Sequence, residues 1–254
     1  MDFINKDKIN ELKDLNIEKL YFKGNISLLK RPKISIVGSR RASGYSKEFI
    51  YKISKEFAKR EYAVVSGAAM GIDAAAHRGA GSKNTIAVVA SGLDIRYPAV
   101  NKNLIIDIEK NGLVLSQFDY GFVPTPWSFV VRNKTVVALG EFLIVGEADL
   151  NSGSFRSIEY ALKLGKKIYV LPHRLNESSA TNYLLQKGLA EPVYDIEEFA
   201  DRFKSIEKKS DEFVEYLKSS PSYEEAVKLY KNRIFEAELL GLIEVRNMKI
   251  FYKG

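Results

Sequence analysis

The chain has no cysteine, one tryptophan and two histidines in 254 residues. Without thiols it has neither a disulfide framework nor a thiolate metal site, so burial alone must hold the fold. No apolar run approaches the ~20 residues that a membrane-spanning helix needs; the best candidate, Val136 to Val145, is interrupted by Glu141. The opening Met-Asp-Phe-Ile-Asn-Lys-Asp-Lys is too charged for a secretory h-region. These absences point to a cytoplasmic location away from the membrane, with a core drawn from the 46% of residues that are hydrophobic. The dinucleotide fingerprint Gly-x-Gly-x-x-Gly is missing as well, because the next glycine after Gly38 is Gly44. No His, Asp or Glu cluster has ligand spacing and no nucleophile sits beside a base, so no cofactor, metal or catalytic residue is expected.

What the chain does have is positive charge, unevenly placed. The net charge is +7. Residues 31–60 hold nine Lys/Arg against Glu48 and Glu56, whereas 205–254 hold nine of each sign. The positive field therefore centres on Gly38-Ser39-Arg40-Arg41 and the segment after it, which points to a polyanionic partner. Ile34, Ile36 and Val37 read as a buried strand, and Phe49, Ile50, Ile53, Phe57 and Ala58 recur at helical spacing. Ser39, Arg40 and Arg41 should then lie at a helix N-terminus, where amides and the dipole favour an anion.

From Lys33 onward apolar strands alternate with amphipathic helices, the pattern of an α/β, doubly wound, mostly parallel sheet. Strands are expected near 33–38, 62–66, 85–90, 112–116, 142–147, 167–172 and 192–194, with helices in the crossovers. Ligands of such sheets lie beyond the carboxyl ends of the strands. There, Ser66-Gly67 opens a small-residue loop in which Asp73 reads as a helix cap and His77 as a structural histidine. Asp94 follows Gly92 in a turn where it bonds turn amides or Arg96. Phe129, Arg132, Asn133 and Lys134 cluster at the start of another helix; Phe129, and less so Trp127, reads either as core or as a base-stacking aromatic. Ser152-Gly153-Ser154 offers hydroxyl and amide donors at a further helix start, a second anion-friendly site or simply a cap.

Five segments in this order, Ile36-Val-Gly-Ser-Arg40, Ser66-Gly-Ala-Ala-Met-Gly-Ile-Asp73 with His77, Gly92-Leu-Asp-Ile-Arg-Tyr-Pro98, Phe129-Val-Val-Arg-Asn133 and Ser152-Gly-Ser154, resemble the motifs of the DNA-processing DprA/Smf family. The resemblance covers about residues 20–200. It implies an extended Rossmann-like, homodimeric protein that binds single-stranded DNA and loads the recombinase RecA during natural transformation. It also implies that the Gly38–Arg41 turn, Ser66-Gly67 and Arg132 with Lys134 line a basic pocket for the DNA backbone, with Phe129 as base-stacker. The chain departs from the family at Ser91-Gly92 for Gly-Gly, at Phe129-Val130 for Phe-Pro, and at Lys134, where arginine is common. Charge and the aromatic are kept, so local loop geometry is in question more than binding.

The expected organisation is a lead-in over 1–32, packed on a DNA-binding domain over 33–204, then a small domain over 205–254. In the last, three short helices, the third suggested by Ile234, Leu239 and Leu240, precede a hairpin turning at Arg246–Asn247, a winged-helix-like pattern. Its zero net charge favours protein contact over DNA reading. The alternative function is a nucleoside-monophosphate phosphoribohydrolase, because Glu159 falls at the spacing of that relative fold's catalytic glutamate. The glycines and threonine that should precede it are replaced.

Overall fold

The computed structural model describes residues 2–203 and 212–253. They fall into two compact units, 1–204 and 205–254; the junction expected at 204/205 lies outside the described residues. In the larger unit the strands are β1 (Phe3–Asn5), β2 (Lys19–Gly24), β3 (Lys33–Val37), β4 (Ala63–Ser66), β5 (Thr85–Val89), β6 (Leu113–Ser116), β7 (Leu143–Val145), β8 (Ile168–Val170) and β9 (Glu191–Pro192). The helices are α1 (Gly44–Lys59), α2 (Ile72–Ala80), α3 (Lys102–Asn111), α4 (Pro126–Leu139), α5 (Gly153–Lys163), α6 (Ser179–Gln186) and α7 (Ile196–Asp201).

All nine strands form one sheet in the order β1-β2-β6-β5-β4-β3-β7-β8-β9. From β6 to β9 the pairing is parallel, while β1 and β2 add to the β6 edge antiparallel. The lead-in thus extends the sheet: Leu20–Gly24, strand-like in sequence, lies within β2, and the residues before it form β1 and short 3-10 turns.

Strand alternation sends successive side chains to opposite faces, and each face has its own core. Ile34 and Ile36 join Ile50, Ile53 and Phe57 of α1, Ile72 of α2 and Phe199 of α7. Val37 and Val145 face the other way, against Val136 and Val137 of α4 and Ile158 of α5. Burying one such Phe or Ile side chain contributes roughly 1.5–3 kcal/mol. The two faces therefore hold α1 and α5 on opposite sides of the strands that precede them.

The smaller unit comprises α8 (Glu212–Lys218), α9 (Tyr223–Tyr230), α10 (Asn232–Leu239) and the hairpin of β10 (Ile243–Arg246) and β11 (Lys249–Tyr252). Phe213, Leu217, Ala226, Ile234, Ile243 and Ile250 form its core. Leu239 and Leu240 do not belong to it: they are 88% and 73% exposed. The buried face of α10 is set by Ile234 and Ala237, three residues apart, and Leu239 falls on the opposite side. Pairing of Arg246 with Lys249 puts the turn at Asn247–Met248, one residue later than the sequence suggested, with both residues at positive φ as a tight two-residue hairpin requires.

Candidate functional site

The strand order reverses at β3, which has β4 on one side and β7 on the other. Such a switch point leaves a crevice outside the carboxyl ends of the strands. Here the loops after β3, β4 and β7 and the start of α4 enclose an open recess of about 760 Å³. The chain from β6 to β7 must pass over β5, β4 and β3, and this crossover brings α4 to the recess. Its first turn is fixed by a capping box. Ser128 N–H donates to the Thr125 hydroxyl at 3.3 Å, Thr125 N–H donates to the Ser128 hydroxyl at 2.9 Å, and Pro126 opens the helix.

Eleven of the thirteen residues singled out in the sequence line this recess: Gly38, Ser39, Arg40, Arg41, Gly67, Phe129, Arg132, Asn133, Ser152, Gly153 and Ser154. Two do not. Ser66 is fully buried in β4, its hydroxyl donating to the Ile36 carbonyl at 2.8 Å. Lys134 lines an adjoining hollow with Glu159, its ammonium 5.9 Å from the Tyr160 ring centre, and Asn133 and Arg156 line both this hollow and the recess. One residue along a helix is a rotation of about 100°, which takes Lys134 out of the recess lining while Asn133 lines both hollows.

Arg40 is exposed and stacks its guanidinium over the Phe129 ring, 4.6 Å from the centroid. The Tyr97 ring lies 5.8 Å from that of Phe129, and Phe129 remains half-buried at the recess wall. Among the described residues no carboxylate is in an ion pair with Arg40 or Arg41.

The N-terminus of α1 corrects the first expectation. The Glu147 carboxylate, from the loop after β7, already sits there, accepting from Ser43 N–H at 2.9 Å and from the Ser43 and Ser46 hydroxyls at 2.8 and 2.7 Å. Burial would push this carboxyl up, but those hydrogen bonds and nearby His173 hold it below the ordinary range, so it is an anion at neutral pH. Ser39 N–H donates to the Glu147 carbonyl at 2.7 Å, and Arg41 N–H to the Ser39 hydroxyl at 3.1 Å. The Gly38–Arg41 turn therefore presents side-chain cations, and its dipole is answered from within. At α5 the arrangement differs. Ser152 caps through Phe155 N–H at 3.1 Å, while Gly153 and Ser154, which line the recess, occupy the first helical positions, whose amides have no intrahelical acceptor. Arg156, one turn beyond Ser152, joins them; the sequence reading missed it, although its spacing from the cap was visible.

Arg132 is not a surface ligand. It is 3% exposed and donates from one guanidinium nitrogen to the carbonyls of Gly67 and Val88, the latter at 2.7 Å. Beside it, the buried Asp73 carboxylate accepts from Gly67 N–H at 3.2 Å and Ala69 N–H at 3.3 Å. Asp73 thus shapes the 67–69 turn rather than capping α2, whose cap position is Gly71. Gly71 has φ +73°, and any Cβ there would collide with the Ser39 carbonyl, so this turn packs against the first loop backbone to backbone. Burial lowers Arg132 to about 10, with Arg40 adding to the effect against the pull of Asp73, and raises Asp73 against the pull of Arg132. The pair is a brace beneath the recess.

His77 belongs to the same layer. Ala68 N–H donates to its Nε2 at 3.2 Å, so the proton is on Nδ1, which faces the Thr85 hydroxyl at 2.6 Å; that hydroxyl donates to the Val64 carbonyl at 2.9 Å. Burial, with Arg132 nearby, depresses His77 to about 3 from an ordinary 6.5. The unfolded chain therefore binds a proton that the folded chain refuses. Stability is expected to be full above pH 6.5 and to fall towards about 3, by about 1.4 kcal/mol per pH unit for this one group. Urea unfolding at pH 7, 6 and 5 checks this, since His77→Gln should be less stable at pH 7 but flatter with pH.

Glu159 is exposed and lines the hollow beyond α4 instead of the recess. Trp127 is 62% exposed and lies edge-on to Phe118, outside the recess. Asp94 accepts from Gly121 N–H at 3.0 Å, as a turn-ordering residue. No helix among the described residues is long and apolar enough to cross a membrane.

Fold and site together define a Rossmann-like α/β protein with a cationic recess at the switch point of its sheet. Residues 7–204 match the family of DNA recombination-mediator protein A, and the chain belongs to that family. It is 38% identical over 174 residues to the DNA processing protein DprA of Streptococcus pneumoniae, a match covering 66% of this chain and 61% of that protein. The chain therefore matches less than two thirds of that relative's length. Among solved structures, DNA processing protein A of Helicobacter pylori, described for its single-stranded DNA binding mode, superposes with a TM-score of 0.75 at 40% identity, covering 80% of this chain and 93% of that one. The S. pneumoniae structure gives a TM-score of 0.73 at 33% identity, covering 80% and 74%.

Proposed function

We propose that this chain binds single-stranded DNA without reading its sequence and, as a cytoplasmic homodimer, hands the protected strand to the recombinase RecA during natural transformation. The observation that carries the reading is Arg40 laid on the Phe129 ring in the recess that the first helical residues Gly153 and Ser154 also line. Cation, aromatic face and helix N-terminus together suit a phosphate and the base attached to it. Arg41, Asn133, Ser152 and Arg156 add donors around the same space, while Arg132 and Asp73 hold the Gly67 turn in place. The H. pylori relative's single-stranded DNA binding and the recombination-mediator family support this assignment. The 205–254 unit acts through protein contact as a winged-helix-like module, consistent with its balanced charge.

Fluorescence anisotropy with single- and double-stranded oligonucleotides, for the chain with and without 205–254, tests the binding. Single strands of any sequence should bind more tightly than duplex, the affinity should fall with salt, and removal of 205–254 should change it little. Equal affinity for duplex would sink the proposal. Faster RecA assembly on strands coated by a single-strand-binding protein tests the delivery step.

A further inference from the structure

Arg40 and Arg41 belong to more than the recess. Both residues also line a second open hollow, of about 590 Å³, between α1 and α2. Lys47 of α1 and Arg78 of α2 are exposed there, 31 positions apart in the chain. They meet because α2 crosses α1 closely at Gly79, where any Cβ would collide with the Tyr51 carbonyl. Glu48 is the carboxylate of this hollow, and Lys52 already binds it at 2.6 Å. Among the described residues Arg41, Lys47 and Arg78 are in no ion pair. Tyr51 presents an exposed aromatic surface beside them.

We infer that the α1–α2 hollow is a second stretch of the strand's path, taking the phosphates that follow the nucleotides seated in the recess. The inference rests on the single-stranded DNA reading above and adds a site outside the recess. Three cations from three segments with one neutralised acid favour a polyanion, and Arg40 and Arg41, common to both hollows, favour the same strand over a separate acidic partner. Arg41, Lys47 and Arg78 carry phosphates, and Tyr51 offers a base a face to stack on.

Anisotropy with oligothymidylates of increasing length, on the full chain, tests this with the double variant Lys47→Ala/Arg78→Ala. On the shortest oligonucleotide that binds, variant and wild type should match. On long ones the variant should bind more weakly, and its log affinity against log salt should be shallower by about 1.4, about 0.7 for each lost phosphate contact. Between 50 and 200 mM salt its affinity would then drop about sevenfold less than that of wild type. An unchanged slope on long strands, or an equal deficit at every length, overturns the second site while leaving the recess standing. Failure of wild type to bind single strands at all overturns the underlying reading instead. An unaltered thermal midpoint confirms that the variant is folded; Lys47→Glu/Arg78→Glu should deepen the deficit on long strands alone.

Discussion

Replacing Arg40 by alanine is expected to weaken binding of every single-stranded oligonucleotide by about tenfold to a hundredfold. A hydrogen bond to a charged group is worth about 1.5–3 kcal/mol, and each 1.4 kcal/mol is a factor of ten. Arg40 has no carboxylate partner among the described residues, so its loss leaves nothing buried and unpaired, and stability should change little. The loss should be the same for all sequences, because a phosphate contact carries no base information. Lysine at 40 should recover the charge but not the stack on Phe129, and so fall between the two. Anisotropy titrations at several salt concentrations measure both effects; an Arg40→Ala protein with unchanged affinity would rule out the recess as the binding site.

Arg132→Ala should act on stability, by about 3–5 kcal/mol, because it strips the counter-charge from buried Asp73 and leaves the Gly67 and Val88 carbonyls without their donor. For a unit of this size that lowers the thermal midpoint by roughly 10 °C. The sign of its pH dependence follows from Asp73, which burial already raises above its ordinary value. Without Arg132 the charged form costs more still, so the deficit should be largest at neutral pH and shrink as acid protonates the carboxyl. Calorimetry at pH 7 and pH 5 compares the two conditions. At temperatures where the variant is folded, its DNA affinity should fall less than that of Arg40→Ala; an equal fall with no loss of stability would make Arg132 a direct ligand.

The two arginines show how much of the site was legible in the chain. Arg40 follows Ser39 just after a strand and Arg132 lies three residues after Phe129 on a helix, and both read as candidate phosphate ligands. Local sequence does not say which of them folding places against a carbonyl. Ser66 and Lys134 make the same point from opposite sides: one hydroxyl is turned into the sheet, and one ammonium is rotated off the recess by a single helical step.

The sequence by itself determined the alternation of strands and helices, the carboxyl-end loops in which ligand-facing residues would lie, and the position of the positive field around Arg40. Those properties are local: burial periodicity, turn chemistry and charge are written within a few residues of where they act. Only the tertiary structure decided that Glu147, more than a hundred positions away, fills the N-terminus of α1, leaving α5 to offer its amides. It likewise brought Arg156 into the recess and Arg78 beside Lys47. Which polar group is satisfied from within depends on a partner supplied by chain crossing, and that partner has no signature in the neighbouring sequence.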